Sequence, residues 1–145
     1  AKKPAENYEE LLKKGIQAIC IADSFDNKFI PLYNTSNKNP SCLMPVVNVP
    51  NIHYVIEFLL MNEVKEIFVA TARTIESRLI NLSEKKLQGA RIKVVATTSG
   101  ALSFGDALRE VAEMNLVKDD FLVVRGDIIT NIVLEDAFKM HYHVK

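Results

Sequence analysis

Apolar residues recur along this chain in two alternating patterns, which together predict its secondary structure. Such residues form short continuous runs, rich in β-branched side chains, at 16–22, 66–71, 92–97 and 121–124. Runs of this kind are typical of strands that are buried on both faces. Elsewhere apolar residues recur every three or four positions, which is the spacing of an amphipathic helix. These helical patterns begin at Asn51, span 74–87, begin again at Ser103 and run from Leu134 to His141.

Two of the helix starts carry residues that commonly cap helices. Asn51 precedes an apolar helical stripe, so its side chain is expected to cap that helix. Ser103 and Asp106 are expected to form a capping box in which aspartate replaces the usual glutamate. The proline-rich segment 23–50 is expected to be a long connection.

The alternation of strands and helices predicts the topology. Strands separated by single helices form right-handed βαβ units, and these build a parallel sheet that is covered on both faces. The expected fold class is therefore α/β: a three-layer, Rossmann-like, mostly parallel sheet with helices on both faces, truncated after the fourth strand. Residues 1–15 are expected to form an N-terminal tail, and residues 16–145 the first portion of a larger domain.

The expected strand order also predicts an exposed edge. In an order such as 3-2-1-4, the fourth strand would be a bare apolar edge, and edges of that kind pair with another strand. We therefore expect a dimer or a swapped segment to cover it in the isolated chain.

The composition gives no support to a nucleic-acid-binding, membrane or secreted protein. Of the 145 residues, 18 are basic and 18 are acidic, so the formal net charge is zero. Electrostatics therefore gives no support to binding of nucleic acid or of an anionic membrane. No apolar run approaches the roughly 18 residues of a membrane helix, and the first residues lack the apolar region of a secretory signal. We expect a cytoplasmic protein.

Neither the cysteines nor the histidines have the spacing of a metal site. Cys20 lies in an apolar run and Cys42 in a proline-flanked loop, so we expect one buried thiol and one loop thiol, both reduced. His141 and His143 are two positions apart on a helical pattern and so lie on different faces. His53 is expected at the surface or partly buried. These cysteines and histidines predict no metal ion, no cofactor and no catalytic residue.

Candidate functional residues lie beyond the carboxyl ends of the strands, where open parallel sheets bind their ligands. The loop from Asp23 follows the first strand, and the turn Gly126-Asp127 follows the fourth. Asp127 comes after a glycine that permits a tight turn. It is therefore expected either to hold a divalent metal on a substrate phosphate or to cap the turn and contact backbone amides.

The loop 23–29 is unlike a phosphate-binding loop. Phosphate sites at this position use several inward-facing backbone N–H groups, and glycine lets the backbone approach closely. The chain has no glycine between Gly15 and Gly89. Asp23 and Asp26 are three positions apart, but a loop does not give an acid/base pair a defined separation. These residues argue against nucleotide binding at the loop.

Several motifs resemble those of sugar nucleotidyltransferases (nucleotide-diphospho-sugar transferase-like fold). The chain keeps the frame of that family in Pro31-Leu32, in Pro40 to Pro45 and in "DDFLVVRGD" at 119–127. In active members the resemblance implies a glycine-rich loop with an arginine after the first strand, and a lysine after Pro40. This chain has "DSFDNKF" at 23–29 and Ser41 instead. The family's means of stabilising charge during phosphoryl transfer are therefore missing.

Other motifs resemble one branch of this fold, the catalytic epsilon subunits of eukaryotic translation initiation factor 2B. These motifs are "ADSFDNKFIPL", "LMPVVNVPNIHYVIEFLLMNEVKEIFV", "SFGDALREV" and "DDFLVVRGDIITNI", and the similarity covers about residues 16–133. The resemblance implies a non-catalytic scaffold in translation initiation, within the guanine-nucleotide exchange factor for initiation factor 2. In that family, exchange is promoted by a C-terminal helical domain that this chain lacks. The alternative function is an active sugar-phosphate nucleotidyltransferase.

The same resemblance implies the partners and a contact loop. The partners are the gamma subunit first, then the regulatory subunits, and initiation factor 2; no nucleic acid or membrane is expected. Phe25 and Phe29 are expected either to contact a partner or to pack under the loop. The vestigial nucleotide site or partner-contact loop comprises Asp23, Ser24, Phe25, Asp26, Lys28, Phe29, Ser41, Gly126 and Asp127.

Overall fold

The computed structural model describes residues 12–23, 25, 40–72, 78–79, 89–98 and 101–144. In chain order the strands are β1 (Ile16–Ile21), β2 (Pro45–Val46), β3 (Val49–Pro50), β4 (Val64–Ala72), β5 (Arg91–Thr97) and β6 (Phe121–Arg125). The helices are α1 (Asn51–Met61), α2 (Phe104–Glu113) and α3 (Glu135–Val144), and a short 3-10 helix spans Ser41–Leu43. Of the helical pattern predicted at 74–87, only residues 78–79 are described, and both are helical.

The main sheet has the order β5-β4-β1-β6, and every neighbouring pair is parallel. Numbered along the chain, this is the 3-2-1-4 order of the sequence prediction, which is therefore confirmed. The continuous apolar runs explain the arrangement, because a parallel sheet buries both faces of its strands. In β1, all six residues are buried.

The two faces of the sheet are covered by different helices. Ala18 and Cys20 of β1 point to the face on which α1 and α3 pack, through residues such as Ile52, Leu59 and Phe138. Ile19 and Ile21 point to the other face, where Ala107 and Val111 of α2 cover them. Since successive side chains of a strand alternate between faces, one continuous apolar run supplies both halves of the core. The three-layer α/β prediction is confirmed.

The N-cap prediction was correct for one helix and wrong for the other. Ser103 caps α2: its Oγ accepts a hydrogen bond from the Asp106 backbone N–H at 3.2 Å and donates one to the Asp106 carboxylate at 2.8 Å. Asn51 does not cap α1. It is the first helical residue, it is buried, and Pro50 holds the cap position without a side-chain bond. The Asn51 backbone N–H instead donates to the carbonyl of Met44 at 3.0 Å, because the preceding hairpin folds back onto the helix start.

The segment predicted as a long connection at 23–50 is partly ordered secondary structure. Its described part, residues 40–50, contains the 3-10 helix and a tight hairpin in which β2 and β3 pair antiparallel. Val47 and Asn48 form the turn with φ of 51° and 64°. Two-residue hairpins of type I′ need positive φ at both central residues. Among the described residues, no helix is long and apolar enough to cross a membrane.

Candidate functional site

The loop after β1 and the turn after β6 lie side by side at the carboxyl edge of the sheet. β1 and β6 are neighbours, with Ile21 opposite Arg125. The Gly126 backbone N–H donates to the Ile21 carbonyl at 2.7 Å and extends this pairing beyond the strand. A Cβ at Gly126 would lie 2.9 Å from Ala22 Cα and 3.2 Å from Cys42 Cβ. Glycine is therefore needed here because the two backbones approach closely.

Asp127 is held by side chains from two separate segments. Arg125 Nε and Nη2 donate to its two carboxylate oxygens at 3.0 and 2.8 Å, and Ser41 Oγ donates to Oδ2 at 2.9 Å. The prediction offered a metal ligand or a turn cap with backbone contacts. Both carboxylate oxygens instead accept hydrogen bonds from side chains. In the part of the chain that the structure describes, no three His, Cys, Asp or Glu side chains are placed to hold a metal ion.

Asp23 is tied to the neighbouring strand β4. Its Oδ1 accepts hydrogen bonds from the Ala72 backbone N–H at 2.9 Å and from Thr71 Oγ1 at 3.4 Å. Burial raises the pKa of this carboxyl, and the charge of Glu110 acts in the same direction, while the two hydrogen bonds oppose them. Asp26, three positions further along the loop, lies outside the described residues, as do Ser24, Lys28 and Phe29.

Phe25 packs towards α2. It is half-buried against the cluster formed by Ile19, Ile21 and the helix. Together with Asp23, Phe104 and Arg125 it also lines a shallow cleft of about 280 Å³ at the sheet edge. The packing predicted for Phe25 thus has a contact in the structure, against Ile19, Ile21 and α2, while the predicted partner contact stays a prediction. The cleft leaves part of the ring at the surface.

The two cysteines are both buried, which corrects the prediction of a loop thiol. Cys20 lies in β1, and Cys42 lies in the 3-10 helix against the same core cluster. Proline-flanked segments are commonly surface loops, but this one packs down onto the sheet edge. Burial raises the pKa of the Cys20 thiol, and it raises that of Cys42 to about 12. Thiols of this kind are poor nucleophiles at neutral pH, because the thiolate is the reactive form.

Sequence reasoning missed two residues that organise this edge. Arg125 directly follows the predicted strand at 121–124 and was given no role, yet its guanidinium holds Asp127. The i, i+2 spacing of Arg125 and Asp127 was the available signal, since arginine commonly binds carboxylates through two parallel bonds. Thr71 was missed because nothing local connects it to Asp23, 48 residues away.

The histidines lie on two helices, His53 on α1 and both His141 and His143 on α3. His141 Nε2 lies 3.4 Å from Asp120 Oδ2 beside α3, and His143 is exposed at the end of that helix. His53 is partly exposed on α1, as the sequence predicted.

Comparison with curated proteins finds relatives whose matched regions cover about nine-tenths of this chain. It is 33% identical over 141 residues to "Translation initiation factor eIF2B subunit epsilon" from Dictyostelium discoideum, a match that covers 94% of this chain and 19% of the relative. It is 38% identical over 133 residues to the protein of the same name from Schizosaccharomyces pombe, with 89% of this chain and 19% of the relative covered.

This chain is a homologue of eIF2B subunit epsilon. The resemblance predicted from the sequence motifs is thereby confirmed. The chain spans about a fifth of the length of these eIF2B epsilon relatives, with 19% of each covered. No protein-family profile matches the chain.

Solved structures agree on the fold of this eIF2B epsilon homologue. A protein assigned as a glucose-1-phosphate thymidylyltransferase from Bacillus anthracis superposes with a TM-score of 0.72 at 17% identity, over 90% of this chain and 51% of that one. HddC from Yersinia pseudotuberculosis, solved with GMP-PN, gives a TM-score of 0.69 at 11% identity, over 86% of this chain and 53% of that one. At these identities the likeness shows the nucleotidyltransferase-like fold alone.

Proposed function

We propose that this chain is a non-catalytic scaffold and interaction domain of the guanine-nucleotide exchange factor for translation initiation factor 2. It keeps the nucleotidyltransferase fold and has lost the transfer chemistry. The proposal rests first on the homology to eIF2B subunit epsilon. It rests second on the state of the sheet edge, where an active relative would hold its phosphates.

The observation that carries the proposal is the engagement of both edge carboxylates. Asp127 accepts from Arg125 and Ser41, and Asp23 accepts from the backbone of β4. A divalent metal at Asp127 would have to compete with the Arg125 guanidinium and the Ser41 hydroxyl for the carboxylate oxygens. Serine also replaces the lysine that active members place after Pro40. In the described part of the edge, position 41 therefore carries no cation and the Asp127 carboxylate is engaged by Arg125 and Ser41.

The alternative is an active sugar-phosphate nucleotidyltransferase, an activity named for one protein that has this fold. Phosphoryl transfer needs positive charge around the developing charge of the transition state. At the described edge, the Arg125 guanidinium already pairs with Asp127, and the positive charge of Arg78 acts on the buried Cys42 thiol, whose raised pKa it opposes. A pyrophosphorolysis assay over a set of nucleotide-sugars with Mg²⁺ separates the two functions: a scaffold releases no triphosphate.

As a scaffold, the domain acts in the cytoplasm on protein partners. The partners proposed are the gamma subunit, then the regulatory subunits, and initiation factor 2 itself. The cleft of Asp23, Phe25, Phe104 and Arg125 is the proposed contact. It presents an aromatic surface beside a carboxylate and a guanidinium, and aromatic residues and arginine are enriched where proteins bind one another.

Co-purification tests this contact in the native protein. Phe25→Ala should lower recovery of the other exchange-factor subunits several-fold while thermal unfolding stays cooperative. Phe121→Ala is the matched control, because Phe121 is an exposed phenylalanine at the opposite end of β6. Equal recovery with the two variants would remove the cleft from the proposed interface.

A further inference from the structure

An apolar groove lies on the α1 side of the sheet, away from the carboxyl edge. It runs between α1 and the segment that joins β6 to α3, and Tyr54 and Phe58 form part of its wall. Four apolar side chains around it are more than half exposed: Met61, Ile129, Ile132 and Val133. Scattered apolar residues are ordinary on protein surfaces, but a contiguous patch of this kind marks a contact surface.

Asn62, which follows the end of α1, fixes the two walls of the groove relative to each other. Its Oδ1 accepts a hydrogen bond from the Leu134 backbone N–H at 2.6 Å. Its Nδ2 donates to the carbonyls of Phe58 at 2.9 Å and Ile132 at 3.3 Å. One side chain thus joins both walls and satisfies three backbone groups. A wall that is fixed in advance loses little conformational entropy when a partner binds.

A strained residue extends the apolar surface at the Tyr54 end of the groove. The Tyr54 hydroxyl donates to the Val46 carbonyl at 3.0 Å, so the β2–β3 hairpin sits against that wall. At its tip Val47 has a φ of 51° and is 87% exposed. A β-branched residue in this conformation is a backbone outlier, and outliers of this kind gather at functional sites. Its side chain gains nothing in compensation from the core.

One acidic residue lines the groove, and other acidic residues flank its lining segments in sequence. Glu57 lines it, Glu63 follows Asn62, and Glu135 and Asp136 follow Leu134. Lys139 pairs with Glu135, and no lysine, arginine or histidine is among the groove's described lining residues. Charges arranged in this way favour a partner of opposite sign and repel an acidic one.

We propose that this groove binds a segment of another protein in which apolar anchor residues are flanked by lysine or arginine. The groove volume is about 220 Å³. That is below the roughly 300–1,000 Å³ typical of small-molecule sites, and it suits one or two apolar side chains. The acidic residues beside the groove, which we call its rim (Glu57, Glu63, Glu135 and Asp136), then favour positive charge next to the anchor residues. This inference goes beyond the proposed function and stands even if the carboxyl edge proves catalytic, because no residue of the groove belongs to that edge.

Site-specific photo-crosslinking in the native full-length protein tests both the location and the chemistry. A benzoylphenylalanine placed at Met61 should capture one segment of a different protein, with apolar residues flanked by net positive charge. The same probe at Leu102, which is 86% exposed before α2, is the control and should not capture that segment. Capture of an acidic or uncharged segment, of a second copy of this chain, of a distant part of the same chain, or of nothing would each overturn the proposal.

Two sets of variants give the energetic test with the captured segment as a synthetic peptide. Neutralising the rim with Glu57→Gln and Glu63→Gln should weaken binding about fivefold at low salt, since exposed ion pairs contribute modestly. Glu113→Gln, at the exposed end of α2, should leave it unchanged. Ile132→Ser should weaken binding about tenfold or more without loss of cooperative unfolding. If either set of variants leaves the affinity for the peptide unchanged, the proposed chemistry is contradicted.

Discussion

Ser41 Oγ donates a hydrogen bond of 2.9 Å to Asp127 Oδ2, across 86 residues of sequence. This bond joins the segment after β1 to the turn after β6. Active nucleotidyltransferases, which this chain resembles, place a lysine at the position of Ser41, and a metal site at the position of Asp127 was one expectation. Here the side chains at these two positions are hydrogen-bonded to each other. The short hydroxyl at position 41 therefore engages the carboxylate, and under the proposed function it also stands where a phosphate-binding lysine would be.

Gly126 is predicted to tolerate no side chain. In Gly126→Ala the new Cβ would approach the Ala22 backbone to 2.9 Å, so the two loops would have to separate. We expect a loss of about 1–3 kcal/mol in the free energy of unfolding, measured by urea denaturation. Gly105→Ala is the control, because its Cβ would meet nothing nearer than 3.8 Å and alanine favours the helix. Equal stability of the two variants would show that the close approach does not exist.

Asp23→Asn is predicted to change how stability depends on pH. The folded-state pKa of Asp23 is raised above its ordinary value of 3.8, chiefly by burial. Between these two pKa values the folded state binds more protons than the unfolded state, so Asp23 lowers the free energy of unfolding as the pH rises through that window. Asparagine keeps the acceptor for the Ala72 N–H and cannot ionise.

The stability of Asp23→Asn relative to the native chain should therefore increase as the pH rises from 3.8 through the folded-state pKa, and then become constant. Chemical denaturation at a series of pH values gives this difference. The exposed Asp119→Asn controls for the loss of one charge. A difference that falls with rising pH would mean that the folded state favours the carboxylate.

Val47→Asn is predicted to stabilise the chain by about 1 kcal/mol. Left-handed backbone costs an ordinary L-residue about 1–2 kcal/mol, and asparagine is among the residues that adopt it readily. Val47 is exposed, so no packing is lost. Thermal unfolding measures the gain. Val144→Asn, also exposed but at the end of a helix, should change stability by less than about 0.5 kcal/mol. Destabilisation by Val47→Asn would show that the valine side chain makes a stabilising contact.

Both thiols are predicted to be inert in the folded chain. At pH 8 a thiol whose pKa is about 12, as for Cys42, is ionised in only about one molecule in ten thousand, and burial also blocks the reagent. An aromatic disulfide reagent should therefore label neither cysteine in native buffer and both in denaturant. Rapid labelling of one cysteine in native buffer would restore the loop thiol that the sequence suggested.

The layers and strand order of this fold were predictable, whereas most contacts at its edge were not. A continuous run such as Ile16–Ile21 and the helical spacing after Asn51 are local signals, and the βαβ handedness rule assembles them. The Ser41–Asp127 and Asp23–Ala72 bonds join residues 86 and 49 positions apart. Which residues form these bonds depends on how the loops pack, and no local sequence pattern predicts that packing.

Two errors have the same physical origin. Cys42 stands in the segment 23–50, whose prolines suggested an irregular, exposed connection, and Asn51 directly follows that segment. The tight hairpin turns the chain back, and both residues become buried. The Asn51 backbone N–H then donates a hydrogen bond to the Met44 carbonyl. Tertiary packing thus overrode a local capping preference.

Titration of the folded protein with Mg²⁺, nucleoside triphosphates and sugar phosphates tests the loss of transfer chemistry most directly. Amide shifts at residues 21–23 and 125–127 would report binding at the carboxyl edge. If Asp127 remains engaged by Arg125 and Ser41, these shifts should stay unchanged at physiological ligand concentrations and no pyrophosphate should be released. Saturable shifts with micromolar affinity, or release of pyrophosphate, would contradict the assignment of this domain as a scaffold.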